Sequence, residues 1–107
     1  MELEQKLCIK TRSGFKIINL IYVAYCQANG SYTDFIFIGN SDKCTASSNL
    51  KEINSKLPAY FFQCHRKYIV NMNLIKEVKY NRIIMEDESV IYISPQKKTE
   101  LIKLFLG

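Results

Sequence analysis

Three groups of hydrogen-bonding residues carry the chemistry available to this chain. Asn29, Ser31 and Tyr32 form the first, uncharged group, in and beside the turn-forming run Gln27-Ala28-Asn29-Gly30-Ser31. His65, Arg66 and Lys67 form the second, between apolar Phe61-Phe62 and Tyr68-Ile69-Val70. Gln96, Lys97 and Lys98 form the third, in the first turn of a predicted terminal helix. Each alone is what a solvated turn looks like. Together they set long donors and amides on segments anchored by buried neighbours, which suits a charged, grooved partner. Lys and Arg serve phosphate oxygens; Arg, Gln, Asn and His also match base edges in a major groove.

Catalytic and metal chemistry find less support. The one histidine, His65, directly follows Cys64. Adjacent residues of an extended strand point to opposite faces, so the two share no metal and form no nucleophile–base pair. Cys8, Cys26, Cys44 and Cys64 fall at intervals of 18, 18 and 20 residues with no C-x-x-C pair. Without a secretory signal they read as reduced thiols packed as small apolar side chains, not as a disulfide framework. Paired carboxylates are also lacking. The expectation is no catalytic residue, no metal and no cofactor.

The net charge is +5, from 15 Lys and Arg against 10 Asp and Glu, and residues 54–107 hold +4 of it. A basic excess attracts DNA, RNA or anionic lipid without fixing a fold. At 107 residues, 48% hydrophobic and 23% charged, the chain builds one domain with a real core and has no room for a second. The longest near-apolar run, Ile17–Tyr25, is interrupted by Asn19 and falls short of the roughly 20 residues that cross a bilayer. Met1–Lys16 has no signal-peptide pattern. The reading is a soluble, cytoplasmic chain.

Short strands must position the three groups. The pattern is mostly period two and rich in Ile and aromatics. It predicts strands at Leu7–Thr11, Phe15–Leu20, Ile21–Cys26, Tyr32–Ile38, Lys43–Thr45, Tyr60–Cys64, Tyr68–Val70, Ile75–Tyr80, Ile83–Met85 and Val90–Ile93. Arg12-Ser13-Gly14 reads as a hairpin turn, and Asn29-Gly30 as a stronger one, because both residues tolerate positive φ. Asn49 with Glu52 three positions later predicts a capped helix carrying Leu50, Ile53 and Leu57, closed by Pro58. Ser94-Pro95 predicts the N-terminus of a last helix. The fold class is therefore mainly β, with antiparallel strands in more than one sheet, one short internal helix and a short C-terminal helix. Residues 1–6 read as a linker remnant or frayed N-terminus, and 7–107 as the domain.

The stretch Leu57-Pro58-x-x-Phe61-Phe62-x-x-His65-Arg66-Lys67-Tyr68-Ile69-Val70-Asn71-x-x-x-Ile75 closely resembles the core motif of LytTR-type DNA-binding domains. Asn49–Ile53 matches that family's short helix, Ile21–Tyr25 with Tyr32-Thr33 its early strand pair, and Val90–Ser94 its C-terminal motif. The resemblance implies about ten short strands in small antiparallel sheets. It further implies the output domain of a bacterial transcription regulator, reading repeated sites in double-stranded promoter DNA with loops that enter successive major grooves. A receiver domain in the full-length protein, and an isolated domain that is monomeric and pairs on DNA, follow from the same resemblance. It maps the DNA-binding loops onto Asn29, Ser31 and Tyr32, onto His65, Arg66 and Lys67, and onto Gln96, Lys97 and Lys98. Lys67 stands where the family usually has Ser, and Pro95-Gln96 interrupts its basic run. His65 fits both a loop brace and a phosphate contact; Asn71 reads as a turn hydrogen-bonder and Tyr68 as core. A small β-domain that binds protein or single-stranded RNA is the alternative, and it would need exposed aromatics for stacking. The DNA reading requires the three turns to lie along one side of the molecule.

Overall fold

The computed structural model describes residues 5–39 and 42–107. Among them are ten strands: β1 (Lys6–Thr11), β2 (Gly14–Asn19), β3 (Val23–Asn29), β4 (Tyr32–Phe37), β5 (Lys43–Ala46), β6 (Phe61–His65), β7 (Tyr68–Asn71), β8 (Ile75–Lys79), β9 (Arg82–Met85) and β10 (Val90–Tyr92). Helix α1 spans Leu50–Asn54 and α2 spans Pro95–Leu106. The strands form three antiparallel sheets, ordered β1-β2, β5-β4-β3-β7-β6 and β10-β9-β8.

The five-stranded sheet is covered on both faces. On one, Ile9 and Ile18 of the β1–β2 hairpin and Leu50 and Ile53 of α1 pack on Val23, Cys26, Phe35 and Ile69. On the other, Ile83, Met85 and Ile91 of the three-stranded sheet and Leu101 of α2 pack on Ala24, Cys64 and Val70. A strand buried on both sides reads as a continuous apolar run, which is why Val23-Ala24-Tyr25-Cys26 shows no alternation. A bulge between Val23 and Tyr25 sets consecutive Ala24 and Tyr25 on the same face, toward the three-stranded sheet, while Val23 and Cys26 face the other. Each fully buried aliphatic side chain contributes roughly 1.5–3 kcal/mol.

The predicted strand Ile21–Cys26 starts late, at Val23, and asparagines cap 3-10 turns there and between β7 and β8. Asn19 accepts the Ile21 N–H at 3.4 Å, so the chain makes a 3-10 turn at Leu20–Tyr22 before β3 begins. Asn71 accepts the Asn73 N–H at 3.0 Å over a matching turn at Met72–Leu74. An asparagine side chain that caps the local backbone competes with the ladder. Asn71 is fully buried and its amide also donates to the carbonyls of Val23 at 2.9 Å and Leu20 at 3.5 Å, joining the two turns. The helix starts follow the sequence. Asn49 and Glu52 form a reciprocal capping box on α1, and Ser94 caps α2 with Pro95 in its first turn.

β1 begins at Lys6, inside the segment read as a linker or frayed end, and Gln5 accepts a 2.6 Å hydrogen bond from the Tyr60 hydroxyl. The rest of that segment, 1–4, lies outside the described residues. Cys8 is exposed, not packed: it faces outward on β1, opposite Ile17. Cys26, Cys44 and Cys64 are buried as expected.

Candidate nucleic-acid interface

The first group sits at the tip of the β3–β4 hairpin. Asn29 pairs with Tyr32, leaving Gly30-Ser31 as a two-residue turn. Gly30 has φ +60°, which costs a glycine nothing. The turn is thus centred one residue later than the Asn-Gly signal implied. Asn29 ends the strand, and its amide donates to Asp34 at 3.3 Å. Asp34 is buried and also accepts from Thr45 at 2.6 Å and Lys43 at 3.4 Å, so Asn29 is fastened to a filled polar cluster. Ser31 and Tyr32 are exposed.

The second group is the tip of the β6–β7 hairpin. His65 pairs with Tyr68 across a turn made of Arg66 and Lys67, both exposed. Neither has positive φ; a bulge between Gln63 and His65 supplies the extra twist. The Lys67 N–H donates to His65 Nδ1 at 3.2 Å, so the imidazole braces the turn in the tautomer that carries its proton on Nε2. The Lys67 carbonyl accepts from the Ala28 N–H at 2.9 Å, locking this turn to the neighbouring hairpin.

The third group is the start of α2. Ser94 accepts the Lys97 N–H at 3.4 Å, and the Ser94 N–H reaches the Cys64 carbonyl at 3.4 Å. That bond fixes the helix start beside the last residues of β6. Gln96 is exposed, and Lys97 and Lys98 are half-buried. The Lys97 ammonium lies 5.8 Å from the centre of the Phe62 ring and 3.6 Å from Glu100.

Strand directions bring the three groups together. β3 runs into the first turn, and β7, antiparallel to it with Gln27 opposite Tyr68, runs out of the second. Both turns are therefore at the same end of the five-stranded sheet, about two strand spacings or roughly 10 Å apart. Helix α2 starts one residue short of His65 on the far side of β6, so the groups follow one another in a row at that end. Among the described residues, no group of three or more His, Cys, Asp or Glu side chains is placed to hold a metal. No helix among them is long and apolar enough to cross a membrane.

The model of one family, the LytTr DNA-binding domain, matches residues 13–106. The chain belongs to this family. A LytTr domain of known structure, described as that of a DNA response regulator from Bacillus cereus, superimposes with a TM-score of 0.75. It covers 94% of this chain and 96% of its own at 24% identity, which establishes the shared fold. Sensory transduction protein LytT of Oceanobacillus iheyensis is 31% identical over 97 residues, covering 83% of this chain and 39% of that protein. Transcriptional regulatory protein YpdB of Escherichia coli is 38% identical over 63 residues, covering 58% and 24%. This LytTr chain thus spans well under half the length of the curated relatives it matches. It carries the LytTr DNA-binding domain, and the ten strands in three small sheets among its described residues are the fold that the resemblance implied.

The LytTr motif residues divide by environment. Asn71 holds buried carbonyls, and Tyr68 is half-buried against the Tyr25 ring at 6.2 Å. Both act in the scaffold. One basic group escaped the sequence reading: Arg12 and Lys16 at the β1–β2 tip, visible as an acid-free run of cations once the hairpin is placed.

Proposed function

We propose that this domain recognises double-stranded promoter DNA sequence-specifically, by turns that enter the major groove, as the output domain of a bacterial transcriptional regulator. Arg66, Gln96 and the Asn29–Tyr32 turn read bases. Lys67, Lys97 and Lys98 hold phosphates, and His65 shapes the turn from which Arg66 projects. Gln at position 96 favours adenine, whereas Arg66 favours guanine. Binding is the whole activity, with no catalytic step and no cofactor. The setting is the cytoplasm, where the promoter is, and a receiver domain elsewhere in the full-length protein controls occupancy. The isolated domain is monomeric and pairs on repeated sites.

The observation that carries this reading is the row of exposed and half-buried hydrogen-bonding side chains at one end of a sheet whose faces are both already buried. The first two turns lie roughly 10 Å apart, a spacing that fits within the roughly 12 Å width of a single major groove.

Fluorescence anisotropy with a duplex selected from a random pool, an unselected duplex and the matching single strand tests it. Arg66→Ala costs about 1–3 kcal/mol on the selected duplex and much less on the unselected one. Lys97→Ala weakens both alike and lowers the salt slope by about one. Equal losses from Arg66→Ala on both duplexes would reduce Arg66 to a phosphate contact, and preference for the single strand would sink the proposal.

A further inference from the structure

The β1–β2 hairpin has a charge pattern that the three turns leave unused. Residues 6–19 contain Lys6, Lys10, Arg12 and Lys16 and no acid. The hairpin packs against the end of β5, where the Ser47 N–H donates to the Lys10 carbonyl at 2.8 Å. Two adjoining surface hollows of about 240 and 310 Å³ run between its tip and β5. Arg12 and Thr45 line both; Tyr32 and Ser47 line the first, and Lys16 and Lys43 line the second. Tyr32 belongs to the β3–β4 turn region, so the cleft continues the row of donors beyond the β5 edge of the sheet.

The charges in this cleft do not cancel. Lys43 is held at 3.4 Å by the buried Asp34, which Thr45 also satisfies. The side chains of Arg12 and Lys16 make no hydrogen bond or ion pair among the described residues, and both are exposed. Arg12 beside the hydroxyls of Ser47 and Tyr32, with Lys16 in the adjoining hollow, makes a donor set for phosphate oxygens. The hollows are shallow and open to water, so they suit a phosphate delivered by a polyanion already gripped next door, not a small ligand that must be enclosed.

We infer that this cleft is a fourth contact of the domain, a subsite for duplex backbone phosphates lying beyond the bases met by the Asn29–Tyr32 turn. The inference rests on the reading of the three turns as a DNA face. It extends the footprint along the duplex and balances Lys97 and Lys98 at the opposite edge of the sheet with Arg12 and Lys16 at this one.

Salt titrations of wild type and the Arg12→Ala/Lys16→Ala variant, each on the selected and the unselected duplex, test it. Loss of two phosphate contacts lowers the slope of log affinity against log salt by about 1.8 on both duplexes. Between about 50 and 200 mM salt the wild type then loses about 12-fold more affinity than the variant. An Arg12→Lys/Lys16→Arg variant keeps the wild-type slope, and matching thermal midpoints show all three folded. An unchanged slope in the alanine variant overturns the subsite while leaving the three turns standing. A wild type with no preference for the selected duplex overturns base reading by the turns, and the subsite still stands if the slope falls. Saturable binding of inorganic phosphate or phosphatidylglycerol vesicles, lost in the alanine variant while its duplex slope stays put, assigns the cleft to those ligands and overturns the inference.

Discussion

Side chains at the proposed binding end differ in how far they are already committed. Asn29 is tied to Asp34, Lys97 to Glu100, and His65 Nδ1 to the Lys67 N–H. The side chains of Ser31, Arg66, Lys67, Gln96 and Lys98 make no such bond among the described residues, so reaching DNA costs them only rotamer freedom. Sequence resemblance cannot make this distinction, because it weighs residue types and not what they already touch. The cysteines are sorted in the same way. Burial pushes the Cys26 thiol well above its ordinary value. It pushes Cys64 up to about 12 against the lowering effect of a backbone hydrogen bond. At neutral pH a thiol with that pKa is ionised in only about one molecule in 10⁵, and the thiolate is the reactive form. A thiol reagent therefore labels Cys8 in the folded protein, and Cys26, Cys44 and Cys64 only after denaturant is added. Mass spectrometry of the native reaction checks this; a second cysteine modified as fast as Cys8 would contradict the packing described.

Among the elements, what the sequence made legible was local. Period-two patterning located the strands, and Asn49 with Glu52, then Ser94 with Pro95, located the helix starts, because each signal acts within four residues. The pairing of β3 with β7 was not legible, since more than 40 residues separate Tyr25 from its partner Val70 and no local feature records it. The 3-10 turn after β2 is not legible because Asn19 stands inside a run whose apolar spacing still reads as strand, whereas Asn71 reads as a turn hydrogen-bonder and caps the turn before β8. The β1–β2 tip was read only as a turn; its meaning depends on β5 lying beside it. The two helix caps separate stability from binding. Asn49→Ala removes the capping box of α1, on the face opposite the α2 side, and costs about 1 kcal/mol of stability with duplex affinity unchanged. Ser94→Ala costs about 0.5–2 kcal/mol and also weakens duplex binding, because the first turn of α2 carries Gln96 and Lys97. Chemical denaturation and anisotropy on the same samples decide. Equal affinity for both variants would show that the start of α2 has no part in the interface.

At the scale of the whole molecule, the three-stranded sheet must be held against the central one if α2 is to stay beside the tip of the β6–β7 hairpin. Part of that hold is electrostatic. Asp87, in the β9–β10 turn, accepts the N–H of Gly39 after β4 at 2.9 Å, joining the two sheets. It also accepts from the Ser89 N–H at 3.0 Å and the Ser89 hydroxyl at 2.7 Å. Partial burial pushes its carboxyl up, but the bonds from Gly39 and Ser89 outweigh that and hold the pKa below the ordinary carboxylate value. A carboxyl with a depressed pKa in the folded state stabilises that state fully above its unfolded pKa, near 4. The contribution fades as pH falls through the lower, folded value. Stability should therefore decline below about pH 4 with a share owed to Asp87. Asp87→Asn, which keeps the shape and removes the charge, lowers stability at pH 7 and flattens that share of the acid decline. Denaturant midpoints measured from neutral pH down into the acid range compare the two proteins. Parallel curves would mean that the carboxylate does not link the sheets, and that the apolar contacts of Ile83, Met85 and Ile91 alone keep them together.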